Sequence, residues 1–180
     1  YKTAPFDKIY NDKIQLEVTQ IGKKCHGDNC AIFREVGNCV MPKEGIFARV
    51  IKGGELLPGE SLIYEPKVFR ILIITLSDRA SAGDYADRSG PAIKEMIENF
   101  FNVNNWNFHI EPILLPDNPA LLEEAVAGAD REKFDLVITT GGTGIGKKDI
   151  TIEVVKPLLK KEIPGIMEMV RIKYGSEKPN

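Results

Sequence analysis

The sequence of 180 residues is 43% hydrophobic and 28% charged, with a formal net charge of −2 at pH 7. That composition supports one medium domain with room for a smaller neighbour and argues against disorder. Acidic and basic residues stay matched on both sides of Pro66, so no basic face for non-specific nucleic-acid binding is expected. No apolar run approaches the roughly 20 residues needed to span a bilayer, and the longest, Ile71–Leu76, reads as a buried strand. The expectation is a soluble, cytoplasmic protein with no membrane partner.

Through Pro66, short strand patterns alternate with Gly, Asn, Asp and Pro. Lys13–Thr19 alternates Ile14, Leu16 and Val18, Gly45–Ile51 is strand-like, and Ser61–Tyr64 follows the turn Leu57-Pro58-Gly59-Glu60. No long helix is expected in this segment. It holds all three cysteines, Cys25, Cys30 and Cys39, with His26 beside the first. An odd number does not make a disulfide framework, and a reducing compartment fits better. Their C-x4-C-x8-C spacing is not the C-x-x-C zinc pair, although such soft ligands suit zinc or iron–sulfur. Thiolate or persulfide chemistry, with Lys23 and Lys24 lowering a thiol pKa, is a second reading, and small buried cysteines are a third.

From Val68 the rhythm changes to buried strand, loop and helix in repetition. Phe69–Leu76 is an apolar run broken only by Arg70 and Thr75, suited to a strand covered on both faces. Gly90-Pro91 opens a helix with Ile93, Met96, Ile97 and Phe100 at helical spacing. A strand around His109–Leu114 precedes a helix that begins at Asn118-Pro119 and turns Leu121, Leu122, Ala125 and Val126 inward. Trp106 and His109 read as packing residues. A third strand, Asp135–Thr140, runs into Gly141-Gly142-Thr143-Gly144, and a helix follows through Leu159. Such alternation implies parallel strands, helices on both faces and ligands at the carboxyl ends of the strands. The expected organisation is a β-rich segment over residues 1–66 and an α/β domain over 67–180, its sheet doubly wound and mostly parallel.

The strongest local signal is the stretch from Thr139 to Asp149, after a buried strand and before a helix. Its glycines let backbone N–H groups approach an anion. Gly141 to Lys147 has the G-x-x-x-x-G-K spacing, but Lys148 stands where a P-loop needs Ser or Thr, and the dinucleotide fingerprint fails at Lys147. A glycine turn that only reverses the chain is the alternative. After the first α/β strand comes Ser77-Asp78-Arg79-Ala80-Ser81, continuing to Pro91. Its hydroxyls, amides and Arg79 suit phosphate or a polar heterocycle, and Asp78 either orients Arg79 or accepts from the ligand. The same loop also reads as a solvated connector capping the next helix. Asp117 ends the second strand and Asp149 follows the glycine loop, so two carboxylates converge on one sheet edge. Beside phosphates such a pair suggests magnesium held with several waters; singly, each reads as a helix cap.

Taken in order, several stretches resemble the MogA/MoaB family of molybdenum-cofactor biosynthesis, from about Val68 to the end of the sequence. They are Ile74 to Gly83 with Asp87 and Ser89-Gly90-Pro91, then Leu115-Pro116-Asp117, Thr139 to Gly144, Asp149-Ile150-Thr151 and Ile163-Pro164-Gly165. The resemblance implies a three-layer α/β fold, usually trimeric, and a nucleotidyltransferase that moves AMP from Mg-ATP to molybdopterin with release of pyrophosphate. By that likeness Asp117 and Asp149 match the family's functionally important aspartates, the expected catalytic pair, and the paired carboxylates are the expected magnesium ligands. It further implies that Ser77, Asp78, Arg79, Ser81, Thr139, Thr140, Gly141, Gly142, Thr143, Gly144 and Thr151 surround pterin and phosphate. The family continues with another strand and a Leu-Pro-Gly-Ser-Pro-like loop, absent from this sequence, so a domain incomplete at its carboxyl end is expected.

Leu16 to Cys25, Gly45 to Val50 and Gly53-Gly54-x-Leu56-x-Pro58-Gly59 look like the second half of a MOSC domain. Modules of that type are proposed to handle sulfur or bind the cofactor, which makes Cys25 the thiol candidate. Two alternatives keep the α/β fold and change the activity. One is a non-enzymatic module that binds molybdopterin or assembles partners; the other is a different nucleotide-processing enzyme similar to the competence-damage proteins.

Overall fold

The computed structural model describes residues 3–24, 30–36 and 41–175. Its amino-terminal strands are β1 (Lys8–Tyr10), β2 (Gln15–Ile21), β3 (Ile46–Lys52) and β4 (Ile63–Glu65). They form an antiparallel sheet in the order β3-β2-β1-β4. Two short helices, α1 (Ala31–Val36) and α2 (Met41–Glu44), lie between β2 and β3. The strand expected from Lys13 starts at Gln15 instead, because Asn11 Oδ1 accepts the amides of Lys13 and Ile14, each at 2.9 Å, and holds both in the turn. β1 is too short for its alternation to stand out in the sequence.

Asp7 ties this sheet to the next. Only 1% exposed, its carboxylate accepts the Ala4 N–H and the Tyr64 hydroxyl at 2.6 Å each, and the Lys67 N–H at 2.7 Å. A buried charge is tolerated when donors surround it in this way. Burial, reinforced by the bond to Asp7 and by its charge, pushes the Tyr64 phenol up to about 12. Phe6 adds an edge-to-face contact with Phe69, centroids 6.2 Å apart.

The second sheet is parallel and comprises β5 (Val68–Leu76), β6 (Asn107–Leu115) and β7 (Leu136–Thr140). Its order is β6-β5-β7, with Ile73 opposite Pro112 on one side and Ile138 on the other. Pro112, which lacks a donor, is accommodated because β6 lies at the edge. Every residue of central β5 from Ile71 to Leu76 is buried, and the side chains alternate between two cores. Ile71 and Ile73 meet Ile93, Ile97 and Phe101 of α4 (Ser89–Asn104). Leu72, Ile74 and Leu76 meet Leu122 and Ala129 of α5 (Pro119–Arg131), backed by Val154 and Val155 of α6 (Thr151–Val155). Helices therefore cover both faces, the doubly wound arrangement expected.

The inward faces differ in detail from the sequence reading. On α4 the buried row runs Ile93, Ile97, Phe101, while Met96 and Phe100 are 72% and 55% exposed. The helix sets its i, i+4 row against the sheet, and the neighbouring row turns to solvent. On α5, Leu121 is 40% exposed while Leu122 is fully buried. Trp106 packs as expected, stacked on Phe69 at 5.7 Å. His109 does not: its side chain is 61% exposed and its Nε2 lies 3.2 Å from Glu111. The helix expected through Leu159 is α-helical only over Thr151–Val155 and ends in a 3-10 turn, Lys156–Leu158, and a further helix, α7 (Pro164–Gly175), lies beyond it with no buried residue. Its apolar residues fall all around the helix, so no single stripe marks it. No helix among the described residues is long and apolar enough to cross a membrane.

Candidate functional site

Parallel strands deliver their following loops to one edge of the sheet, and three loops meet there. After β5, the Ser77 N–H donates to Leu115 O at 2.9 Å, extending the ladder by one residue. The Ser77 hydroxyl accepts the Ala80 N–H at 3.2 Å and so caps the single turn α3 (Asp78–Ser81). The same oxygen lies 2.8 Å from the Tyr85 hydroxyl, and the Tyr85 ring carries the Arg79 guanidinium at 5.1 Å from its centroid.

The loop after β6 is joined to the first by a two-way bond. The Asp117 N–H donates to Asp78 Oδ1 at 2.9 Å, and the Asp78 N–H donates to Asp117 Oδ2 at 3.1 Å. From the loop after β7, Lys148 Nζ reaches Asp78 Oδ2 at 2.5 Å. The Lys148 hydrogen bond, followed by the one from the Asp117 backbone, holds the Asp78 carboxyl below the usual carboxylate range. The same contact raises the Lys148 ammonium above the usual lysine range. With side chains 38% and 79% exposed, this pair is screened by solvent and its weight is in placement rather than stability.

The glycine loop lies against the end of β5 because two of its residues lack side chains. A Cβ on Gly141, at φ +90°, would stand 2.1 Å from the Leu76 carbonyl oxygen; one on Gly142, at φ +58°, would stand 2.7 Å from Thr151 Oγ1. Asp149 closes the far side of the loop, its Oδ2 accepting the Gly146 N–H at 2.7 Å.

The result is a cleft of about 310 Å³ lined by Leu76, Ser77, Asp78, Arg79, Tyr85, Asp117, Gly142, Lys148 and Asp149. Beside it lies a second hollow of about 340 Å³ that shares Leu76, Ser77 and Tyr85 and adds Thr75, Asp87, Arg88, Ser89, Thr140 and Gly141. Asp87 caps α4 there through the Ser89 and Gly90 amides, and its other oxygen accepts from Thr75 Oγ1 at 2.9 Å.

Of the residues singled out in the sequence, Ser77, Asp78, Arg79, Asp117, Gly142 and Asp149 line the first cleft, and Ser77, Thr140 and Gly141 line the second. Thr139 belongs to the opposite face of β7, beside Val126 and Val155. Ser81 turns its hydroxyl back to the Asp78 carbonyl at 2.9 Å. Thr143 and Gly144 lie exposed in the loop and line neither hollow. Thr151 is 4% exposed and spends its hydroxyl on Gly141 O at 2.8 Å. The structure adds Tyr85 and Lys148, legible in the sequence only as part of a loop and as the break in a P-loop pattern. Cys25 and Cys39 lie outside the described residues, and Cys30 is half-buried.

Among the described residues no group of three or more His, Cys, Asp or Glu side chains forms a metal cage. Magnesium does not require one, since it is commonly held by one or two carboxylates with waters and substrate phosphates. Asp117 and Asp149 both line the cleft, and each has one oxygen bonded to a backbone amide and a second available, so the donor set fits that ion.

The family model described as "Probable molybdopterin binding domain" matches residues 72–179. The chain is 39% identical over 98 residues to the molybdopterin adenylyltransferase of Pyrococcus furiosus, covering 54% of this chain and 54% of that protein. It is 38% identical over 107 residues to the molybdopterin adenylyltransferase of Helicobacter pylori strain J99, 59% of each. The chain thus spans between half and three-fifths of the length of these curated relatives. Among solved structures, the tungsten cofactor synthesizing protein MoaB of Pyrococcus furiosus superposes with a TM-score of 0.54 at 36% identity, over 63% of this chain and 66% of that one. The fold is that of the MogA/MoaB proteins, and with a family match over more than half of its length, the chain belongs to the family described as probable molybdopterin binding domain.

Proposed function

We propose that this protein transfers AMP from Mg-ATP to the terminal phosphate of molybdopterin in molybdenum-cofactor biosynthesis. The observation that carries the reading is the convergence of Asp78, Asp117, Gly142, Lys148 and Asp149, from the loops after all three parallel strands, on one cleft. The adjoining hollow sharing Ser77 and Tyr85 offers space for a second reactant, as a reaction joining two large molecules needs. Curated relatives named molybdopterin adenylyltransferase support the same activity.

In this reading a phosphate oxygen of molybdopterin attacks the α-phosphorus of ATP. The new P–O bond forms as the bond from the α-phosphorus to the bridging oxygen breaks, and pyrophosphate leaves with that electron pair. Phosphate is already nucleophilic at neutral pH, so placement and charge neutralisation do most of the work. Asp117 and Asp149 would hold magnesium, which supplies charge neutralisation on the nucleotide phosphates. Lys148 Nζ and the Gly142 backbone would face anionic oxygens, and Arg79 stacked on Tyr85 would border a planar ring.

The test is magnesium-dependent pyrophosphate release from ATP, with and without molybdopterin, by the wild-type chain and by Asp117→Asn and Asp149→Asn. Pterin-dependent release lost in both variants is the expected result. Molybdopterin binding without release would leave the non-enzymatic binding module, and nucleotide turnover without pterin would favour the other nucleotide-processing enzyme.

A cytoplasmic location and a homotrimer go with this proposal, the second open to sedimentation equilibrium. So does a division into a MOSC-like segment over residues 1–66 and the molybdopterin-binding domain over 67–180. The presence of two separate sheets, meeting where Lys67 bonds to Asp7, supports that division. Loss of sulfur transfer or of metal uptake in Cys25→Ser would test the thiol role.

A further inference from the structure

The Asp78 carboxylate stands between two loops. Its Oδ1 accepts the Asp117 N–H at 2.9 Å and its Oδ2 accepts Lys148 Nζ at 2.5 Å, while the Asp78 N–H returns a bond to Asp117 Oδ2 at 3.1 Å. Two aspartates at the ends of neighbouring strands thus close a ring of two hydrogen bonds. The ring fixes both the backbone of Asp117 and one of its carboxylate oxygens. Asp117 Oδ1 is left near Gly142, whose added Cβ would lie 3.7 Å away. Both Asp78 oxygens, in contrast, are already engaged by the protein, one bond to each, which leaves this carboxylate fewer acceptor sites for a ligand.

We infer that Asp78 is a positioning residue that aims the Asp117 carboxylate into the cleft through this clasp, with Lys148 tethering the loop after β7 to the same point. The kinetic consequence rests on the proposed role of Asp117; the clasp itself does not.

Asp78→Ala leaves the Asp117 N–H without its acceptor. Asp78→Asn keeps an acceptor oxygen there but a weaker, uncharged one. Lys148→Gln removes the tether and keeps the clasp. Amide hydrogen exchange and proton–nitrogen spectra of the whole chain read these states directly. The Asp117 amide should exchange at least about tenfold faster in Asp78→Ala, intermediately in Asp78→Asn, and within about threefold of wild type in Lys148→Gln. Wild-type exchange at Asp117 in folded Asp78→Ala would overturn the inference. Should that variant fail to fold, an Asp117 amide resonance unmoved in Asp78→Asn would overturn it equally.

In pyrophosphate release, Asp78→Ala should lose about 10²-fold in kcat with KM for ATP within about threefold, and Asp78→Asn should recover much of the loss. A raised KM with no recovery in Asp78→Asn would mean that Asp78 itself meets the nucleotide, against the inference. The expected exchange pattern across the variants, with no pyrophosphate released by the wild-type chain, would sink the adenylyltransferase reading and uphold the clasp.

Discussion

The Thr151 hydroxyl donates to the carbonyl of Gly141 at 2.8 Å, and the Thr151 N–H donates to the carbonyl of Gly142 at 3.0 Å. One buried residue at the start of α6 thereby pins both glycines on which the loop depends. The pinned loop rests on the Leu76 carbonyl, at the end of the central strand, so its place is set by the core beneath it.

Gly141→Ala should therefore destabilise the protein by at least about 2 kcal/mol, because it combines a left-handed φ with a clash against backbone. Gly165→Ala, in α7 with nothing within 4 Å of the added methyl, should be neutral or stabilise by up to about 1 kcal/mol. Urea unfolding midpoints of the two variants provide the check, and equal shifts would contradict the account.

The two-sided burial of β5 predicts a steep contrast between apolar positions. Ile73→Ala, at a fully buried site, should cost about 3 kcal/mol or more through lost burial and a residual cavity. Met96→Ala, at a site 72% exposed, should stay within about 0.5 kcal/mol of wild type. Chemical denaturation followed by circular dichroism distinguishes them.

Alkaline pH should release the Asp7–Tyr64 contact. The phenol is held neutral in the fold, its pKa raised from 10.0 to about 12. Its contribution is fully present below the unfolded value, and it fades as pH rises from 10.0 toward about 12. Tyrosinate absorbance should show one phenol titrating near the top of that range, missing in Tyr64→Phe. Wild type should also lose stability relative to Tyr64→Phe as pH rises from 10.0 toward about 12; parallel curves would refute the coupling.

Tyr85 borders both hollows, so under the proposed activity the effects of its hydroxyl and its ring are separable. Tyr85→Phe gives up the bond to Ser77 and keeps the ring beneath Arg79, and ATP affinity by titration calorimetry should stay within about threefold of wild type. Tyr85→Ala removes the shared wall and the cation–π contact and should weaken ATP binding at least about tenfold. Equal losses in the two variants would assign the effect to the hydroxyl instead.

The α/β architecture, and the sheet edge at which its loops gather, follow from the order of residues alone. A strand covered on both faces must be mostly apolar, as Ile71–Leu76 is apart from Thr75, and Pro91 and Asn118-Pro119 mark helix starts by local chemistry alone. Parallel strands then send Ser77, Asp117 and the glycine loop to the same edge with no further information. Which side chains face the cleft depends instead on how the strands and helices pack. Thr139 and Thr140 differ by one residue and so point to opposite faces of β7. Whether α4 buries Met96 or Phe101 depends on how it lies against the sheet. Asp78 takes its bonds from partners 39 and 70 positions away in the chain, so its contact with Lys148 exists only once the loops have met. Local propensity and periodicity carry no signal for hydrogen bonds between residues so distant, because their geometry is fixed by the packing of the whole sheet.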